Sequence, residues 1–299
     1  SILLGGAAAA PLYFVSRSVF TKPIAFCATL LYLFHPLIVH NQADVMTEGT
    51  FLFFAFSSIW FGWETIRHPR WWVAFLAGTC AGGAYLTRPE GILFVCGIFV
   101  WTALFLLKSP RGPRILCTLI ICATSIGLAA PYLHWMNKIS GKITVSQKGS
   151  VQKSSSESER PPKAEKTSTS EEQSTTSEAN SPWKKIGKQI WKVSYGFTLP
   201  FLLVGVAVAP KKRENLFLLS FPVLYWTGLL VYNPDHAAAS HRYWMVGYAL
   251  FLPWVAVGFV HVFVRIRRPR WIPIALGLVL IAFSAKNLRP NRYEERPLR

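Results

Sequence analysis

Residues 30–63 read LLYLFHPLIVHNQADVMTEGTFLFFAFSSIWFGW. Two apolar runs, 30–39 and 51–63, flank a polar stretch, HNQADVMTEGTF at 40–51, which carries Asp44 and Glu48 one helical turn apart. An unpaired carboxylate is expensive to bury. Two carboxylates between greasy segments mark either the plain end of a membrane helix or the edge of a site, and the choice rests on the remainder of the chain.

That remainder is membrane-like. Of 299 residues, 52% are hydrophobic and 14% aromatic, with 12 Trp and 21 Phe. Only 15% are charged, against roughly 25% in ordinary soluble domains. The apolar residues come in blocks of about 15–20, the length that crosses a hydrocarbon core of about 30 Å. Ten spans are expected, at 1–15, 23–39, 49–63, 71–86, 91–107, 115–135, 194–209, 216–231, 243–264 and 271–285. All must be helical, because an open strand in lipid leaves backbone groups unpaired. The expected fold is an all-α polytopic transmembrane bundle.

The formal net charge is +18, and its distribution argues against a nucleic-acid partner. Basic residues sit in short clusters between apolar blocks: Arg17 and Lys22; Arg67 and Arg70; Lys108, Arg111 and Arg114; Lys211, Lys212 and Arg213; Arg265, Arg267, Arg268 and Arg270. The alternate short loops, HNQADVMTE, TRPE and NPDHAAASHR, hold as Lys or Arg only Arg88 and Arg242. The positive-inside rule places the first set in the cytoplasm, in contact with lipid headgroups. Asp44 and Glu48 are then expected on the opposite side, facing periplasm, cell exterior or lumen. The tail at 286–299, KNLRPNRYEERPLR, is basic yet falls on the outer side of a ten-span count, against the trend of the loops.

The chain divides into helices at 1–136, an outer loop at 137–193, further helices at 194–285 and the tail. Residues 150–182 of the loop are rich in Ser, Thr, Glu and Lys, and this composition predicts disorder. The loop's exit, SPWKKIGKQIWKVSYGF at 181–197, places Trp183, Ile186, Ile190 and Trp191 near helical spacing with Lys184, Lys185, Lys188 and Lys192 interleaved. It reads as an interfacial amphipathic helix. Cys27, Cys80, Cys96, Cys117 and Cys122 all lie inside apolar blocks and read as small core residues.

No Asp, Glu, Lys or Arg falls in the middle of a span; only His35, His134 and His261 interrupt them. Ion-coupled transporters carry intramembrane ionisable groups along their pathway, so this emptiness disfavours a transporter. The polar groups gather instead at outer helix ends. TRPEG at 87–91 supplies Arg88 and Glu90, and SHRYW at 240–244 supplies His241, Arg242 and Tyr243. Each arginine has two readings, a fork for phosphate oxygens or a structural partner for a nearby carboxylate. Asp44 and Glu48, at i and i+4, share a helix face if the following helix extends outward, and they need solvent, a cation or a basic partner beside them. A hard cation such as Mg²⁺ or Mn²⁺ suits such oxygens. The chemistry that needs this set is transfer from a lipid phosphate: a carboxylate takes the proton of an acceptor hydroxyl, and positive charge stabilises the departing phosphate.

ADVMTEGTFLFF at 43–54, AYLTRPEGILF at 84–94 and SHRYWMVGYALFLPW at 240–254 occur in that order on alternate outer ends. Together they resemble the polytopic GT-C glycosyltransferases of the protein-mannosyltransferase and aminoarabinose-transferase superfamily. SILLGGAAAAPLYFVSRSVF at 1–20 is similar to the helix after the first outer loop of that family. The resemblance implies a membrane enzyme that takes sugar from a polyprenyl-phosphate donor, usually with inversion, in a bacterial inner membrane with its site facing outward. It implies substrate or cation contact at Asp44, Glu48 and Glu90, and lipid-phosphate binding at Arg88, Arg242 and Tyr243. The family's catalytic Asp lies in the first outer loop, so the general base is expected upstream of Ser1. Two rivals stay open: a non-catalytic lipid-binding or assembly protein of polysaccharide export, and a flippase.

Overall fold

The computed structural model describes residues 2–43, 47–108, 112–140, 182–194, 196, 198–210, 212–232 and 241–265. The tenth expected span, the basic tail, the Ser/Thr-rich insert and Asp44 lie outside the described residues.

Among the described residues all regular structure is helical. In chain order the helices are α1 (Ile2–Ala7), α2 (Ala9–Val19), α3 (Lys22–Phe34), α4 (Pro36–Ala43), α5 (Glu48–Arg67), α6 (Trp71–Thr87), α7 (Ile92–Lys108), α8 (Gly112–Ser140), α9 (Pro182–Val193), α10 (Thr198–Val208), α11 (Arg213–Tyr232) and α12 (His241–Arg265). A 3₁₀ turn, Pro89–Gly91, joins α6 to α7. The chain is a multi-pass, all-α membrane protein.

Four stretches are long and apolar enough to cross a membrane: Ile2–Val19, Gly112–Lys138, Arg213–Val231 and Arg242–Val264. Two bent pairs raise the number to six among the described residues. The expected ten is therefore not reproduced as ten full-length crossings. Trp71–Thr87 has only 17 residues, and Pro89–Phe105 is also short. The span expected at 23–39 is broken, with a bend of 57° between Lys22–Phe34 and Pro36–Gln42.

The break has a local cause. Pro36 has no N–H to continue α3 and suits the first position of a new helix. The residue before it, His35, is pushed to extended backbone, with φ −72° and ψ 114°. His35 Nδ1 accepts from the Ile38 amide at 3.4 Å, and Nε2 lies 3.1 Å from the Val193 carbonyl. An amide N–H only donates and a carbonyl only accepts, so the buried ring is the neutral Nε2–H tautomer. Through it α4 is tied to the end of α9. Nearby, the Tyr248 hydroxyl donates to Thr198 Oγ1 at 2.7 Å, which ties α12 to α10.

The centre of the bundle is α12, whose Trp244, Met245, Val246, Ala249, Leu252 and Trp254 are fully or almost fully buried. It packs against α3, α9, α10 and α11, while α5, α6 and α8 form a second layer. Where two backbones meet, the sequence supplies small residues, as membrane helices do. A Cβ on Gly205 of α10 would run into the Trp254 carbonyl, and one on Gly258 of α12 into the Phe201 carbonyl. Between α6 and α8, Gly78 offers its carbonyl to Ser125 Oγ at 3.0 Å.

The amphipathic segment is helical as expected, and α9 also docks on the bundle. Ile186 and Val193 are buried, while Lys188, Trp191 and Lys192 face outward.

Candidate functional site

One end of the bundle collects the start of α5, the end of α6, the 3₁₀ turn, the last turns of α11 and the start of α12. Arg88 is its hub. Its amide donates to the Ala84 carbonyl at 3.0 Å, closing α6, and its carbonyl accepts from Gly91 N at 2.9 Å, closing the turn. Arg88 itself is extended, as expected before Pro89. A Cβ at position 91 would strike the backbone of Ala84 and Tyr85, so the turn doubles back on α6 only because residue 91 is glycine.

The Arg88 side chain is turned inward. Its Nη1 donates to Glu48 Oε1 at 3.4 Å, and its Nε lies 3.4 Å from Glu90 Oε2. Its guanidinium carbon stands 4.9 Å from the centre of the Tyr243 ring and 5.7 Å from that of Phe51. Arg88 is 8% exposed and Glu48 4%. Burial opposes the guanidinium's charge, but Tyr225, Glu90, Glu48 and Tyr243 more than offset it, and the pKa lies above the ordinary arginine value. Glu48 is the first residue of α5, where the helix dipole favours a carboxylate.

The cluster carries two carboxylates against one buried cation and is under-satisfied. Glu48 Oε2, Glu90 Oε2 and the Tyr225 hydroxyl are buried without a hydrogen-bond partner among the described residues. The Glu90 contact is thus an ion pair without hydrogen-bond alignment. Buried polar atoms of this kind are rare in finished structures and concentrate where a site takes a ligand or water.

Glu48, Arg88, Glu90 and Tyr243 come together as a single cluster. Arg242, adjoining Tyr243 at the start of α12, is half-buried at the same end. Asp44 lies outside the described residues; α5 begins at Glu48, after Thr47 as its N-cap. Among the described residues no three His, Cys, Asp or Glu side chains are grouped to hold a metal. Arg88 stands between Glu48 and Glu90. Both neighbouring carboxylates face the Arg88 guanidinium.

Sequence reasoning missed Tyr225, Phe51 and Phe94. Their rings enclose the site, with Phe51 5.7 Å from Phe94 and 6.4 Å from Tyr225. Tyr225 offers one weak signal, a phenol in an otherwise apolar segment; Phe51 and Phe94 offer none in so aromatic a chain.

Residues 1–135 match the family described as dolichyl-phosphate-mannose-protein mannosyltransferase. The match covers under half of the chain and supports a likeness to membrane glycosyltransferases of the GT-C superfamily. It contains Glu48, Arg88 and Glu90; Tyr243 and Arg242 lie beyond it. No curated protein and no solved structure matches the chain.

Proposed function

We propose that this chain moves a sugar from a polyprenyl-phosphate donor to an acceptor hydroxyl on the outer face of a bacterial inner membrane. The observation that carries the reading is the packing of Arg88 against Tyr243. It joins the family-matched part of the chain to the HRYW element beyond the match, at one end of an apolar bundle. A polyprenyl chain stays in lipid beside such a bundle while its phosphate and sugar stand at the polar end.

In this reading Arg242 and Tyr243 contact the donor phosphate directly, and Arg88 adds positive charge behind the Tyr243 ring. As the bond from the anomeric carbon to the phosphate oxygen breaks, the phosphate leaves with the electron pair, and cationic donors stabilise that charge. The acceptor oxygen forms the new bond and gives its proton to a carboxylate base. Asp44 and Glu48 contact the acceptor or a divalent cation; Glu48 Oε2, lacking a hydrogen-bond partner among the described residues, suits either.

The test is transfer of labelled sugar from a polyprenyl-phosphate donor by the full-length protein in liposomes. Asp44→Asn and Arg242→Ala are each expected to lower turnover at least about tenfold. Chelation is expected to abolish the activity and Mg²⁺ or Mn²⁺ to restore it; full activity after chelation refutes the cation contact. Wild-type rates in both variants refute the site. Tight donor binding with no transfer by the full-length protein favours the non-catalytic lipid-binding reading.

A further inference from the structure

At the opposite, basic end of the bundle, the starts of α6 and α8 line an open groove, a cavity of about 350 Å³ on the surface. Its walls are Arg70, Trp71, Trp72, Pro113, Leu116 and Cys117. Arg70, Trp71, Trp72 and Leu116 are exposed, whereas Cys117 forms a buried floor. We propose that this cavity binds the headgroup of an anionic phospholipid from the leaflet at that end. The proposal does not depend on the transfer reaction or on the site at the other end.

The cavity is built in two parts. The upper part is cationic and polar: Arg70 is the N-cap of α6 and no side chain caps that helix, so the guanidinium and the first-turn amides favour a phosphate together. The lower part is apolar. Phe75, one turn beyond Trp71, and Leu119, one turn beyond Leu116, are both exposed and continue the walls along α6 and α8. A free anion would use only the upper part, and an apolar peptide only the lower. A phospholipid uses both, with its phosphate at Arg70 and an acyl chain along Phe75 and Leu119. The two tryptophans are the residue type that sits at headgroup depth. Arg67 and Arg70 are both exposed at this end, and an anionic leaflet complements them.

The lysines of α9 do not make an equivalent site. Lys188 and Lys192 point outward from a helix whose Ile186 and Val193 are covered by the bundle.

The experiment is native mass spectrometry of the full chain, released from detergent after incubation with phosphatidylglycerol or phosphatidylcholine. Wild type is expected to retain phosphatidylglycerol about tenfold better than phosphatidylcholine, as one charge-assisted contact provides. Arg70→Ala, a surface change, is expected to remove that preference. Leu116→Trp, which fills the cavity and leaves Arg70 in place, is expected to lower phosphatidylglycerol retention to the same level. Arg17→Ala, at another basic loop, is expected to match wild type. The proposal is overturned if Arg70→Ala and Leu116→Trp retain phosphatidylglycerol like wild type, or if the two lipids bind equally. It is also overturned if millimolar inorganic phosphate displaces phosphatidylglycerol completely, which would mark a free-anion site.

Discussion

Replacing Arg88 with alanine is expected to destabilise the protein by about 3–5 kcal/mol, the usual cost of stripping one partner from a buried ion pair. Glu48 and Glu90 both face this guanidinium at 3.4 Å, and Glu48 is 4% exposed. Without Arg88, two carboxylates stay in a low-dielectric pocket lined by Phe51 and Tyr225, with no cation between them. The Tyr243 ring also loses the charge it covers, so α12 is held less firmly to α5 and α6. Arg88→Lys is expected to recover only part of the loss, because an ammonium is a point charge and cannot face two carboxylates and a ring as a planar fork does. The check is denaturant unfolding in detergent, followed by tryptophan fluorescence.

The same residue separates support from chemistry. The triple variant Glu48→Gln, Arg88→Met, Glu90→Gln removes all three charges together. Replacing a whole buried charge cluster with groups of similar volume is often neutral, so this variant is expected to unfold near wild type. If it folds normally yet transfers no sugar, the charges serve the reaction and not merely the fold. A loss below about 1 kcal/mol in Arg88→Ala would show that the pair is not buried as described.

The second large effect is expected at the crossing of α10 and α12. Gly258→Ala adds one methyl group that meets the Phe201 carbonyl, and Gly205 opposes it from the other helix. Backbone cannot step aside as a flexible side chain can, so the helices must separate, at about 1–3 kcal/mol or more. The control is the same chemical change where there is room. Gly127 in α8 has nothing within 4 Å of a built Cβ, and Gly127→Ala is expected to stabilise by about 0.5–1 kcal/mol through helix propensity. Opposite signs for one substitution at two helical glycines would assign the effect to backbone contact. Equal signs would refute the close crossing.

Block length, aromatic content and the absence of charge inside the apolar runs determined the class of fold, because lipid admits no alternative to paired backbone. The alternation of charge along the chain was equally legible, since Arg67 and Arg70 lie at the ends of α5 and α6 opposite Glu48 and Arg88. The members of the cluster, Glu48, Arg88, Glu90 and Tyr243, could be named because polar side chains are conspicuous at the rim of a greasy segment.

Tertiary structure alone decided who faces whom. Glu48 and Arg88 are 40 residues apart, and Arg88 and Tyr243 are separated by most of the chain. No local periodicity encodes a contact at that range. The pairing of Arg88 with two carboxylates, the enclosure of the site by Tyr225 and Phe94, and the contact of His35 with the Val193 carbonyl all depend on packing between helices. Spacing along a helix is fixed by its pitch and can be read from a sequence, whereas distance between helices is set by which side chains fill the space, and that appears only when the bundle is assembled.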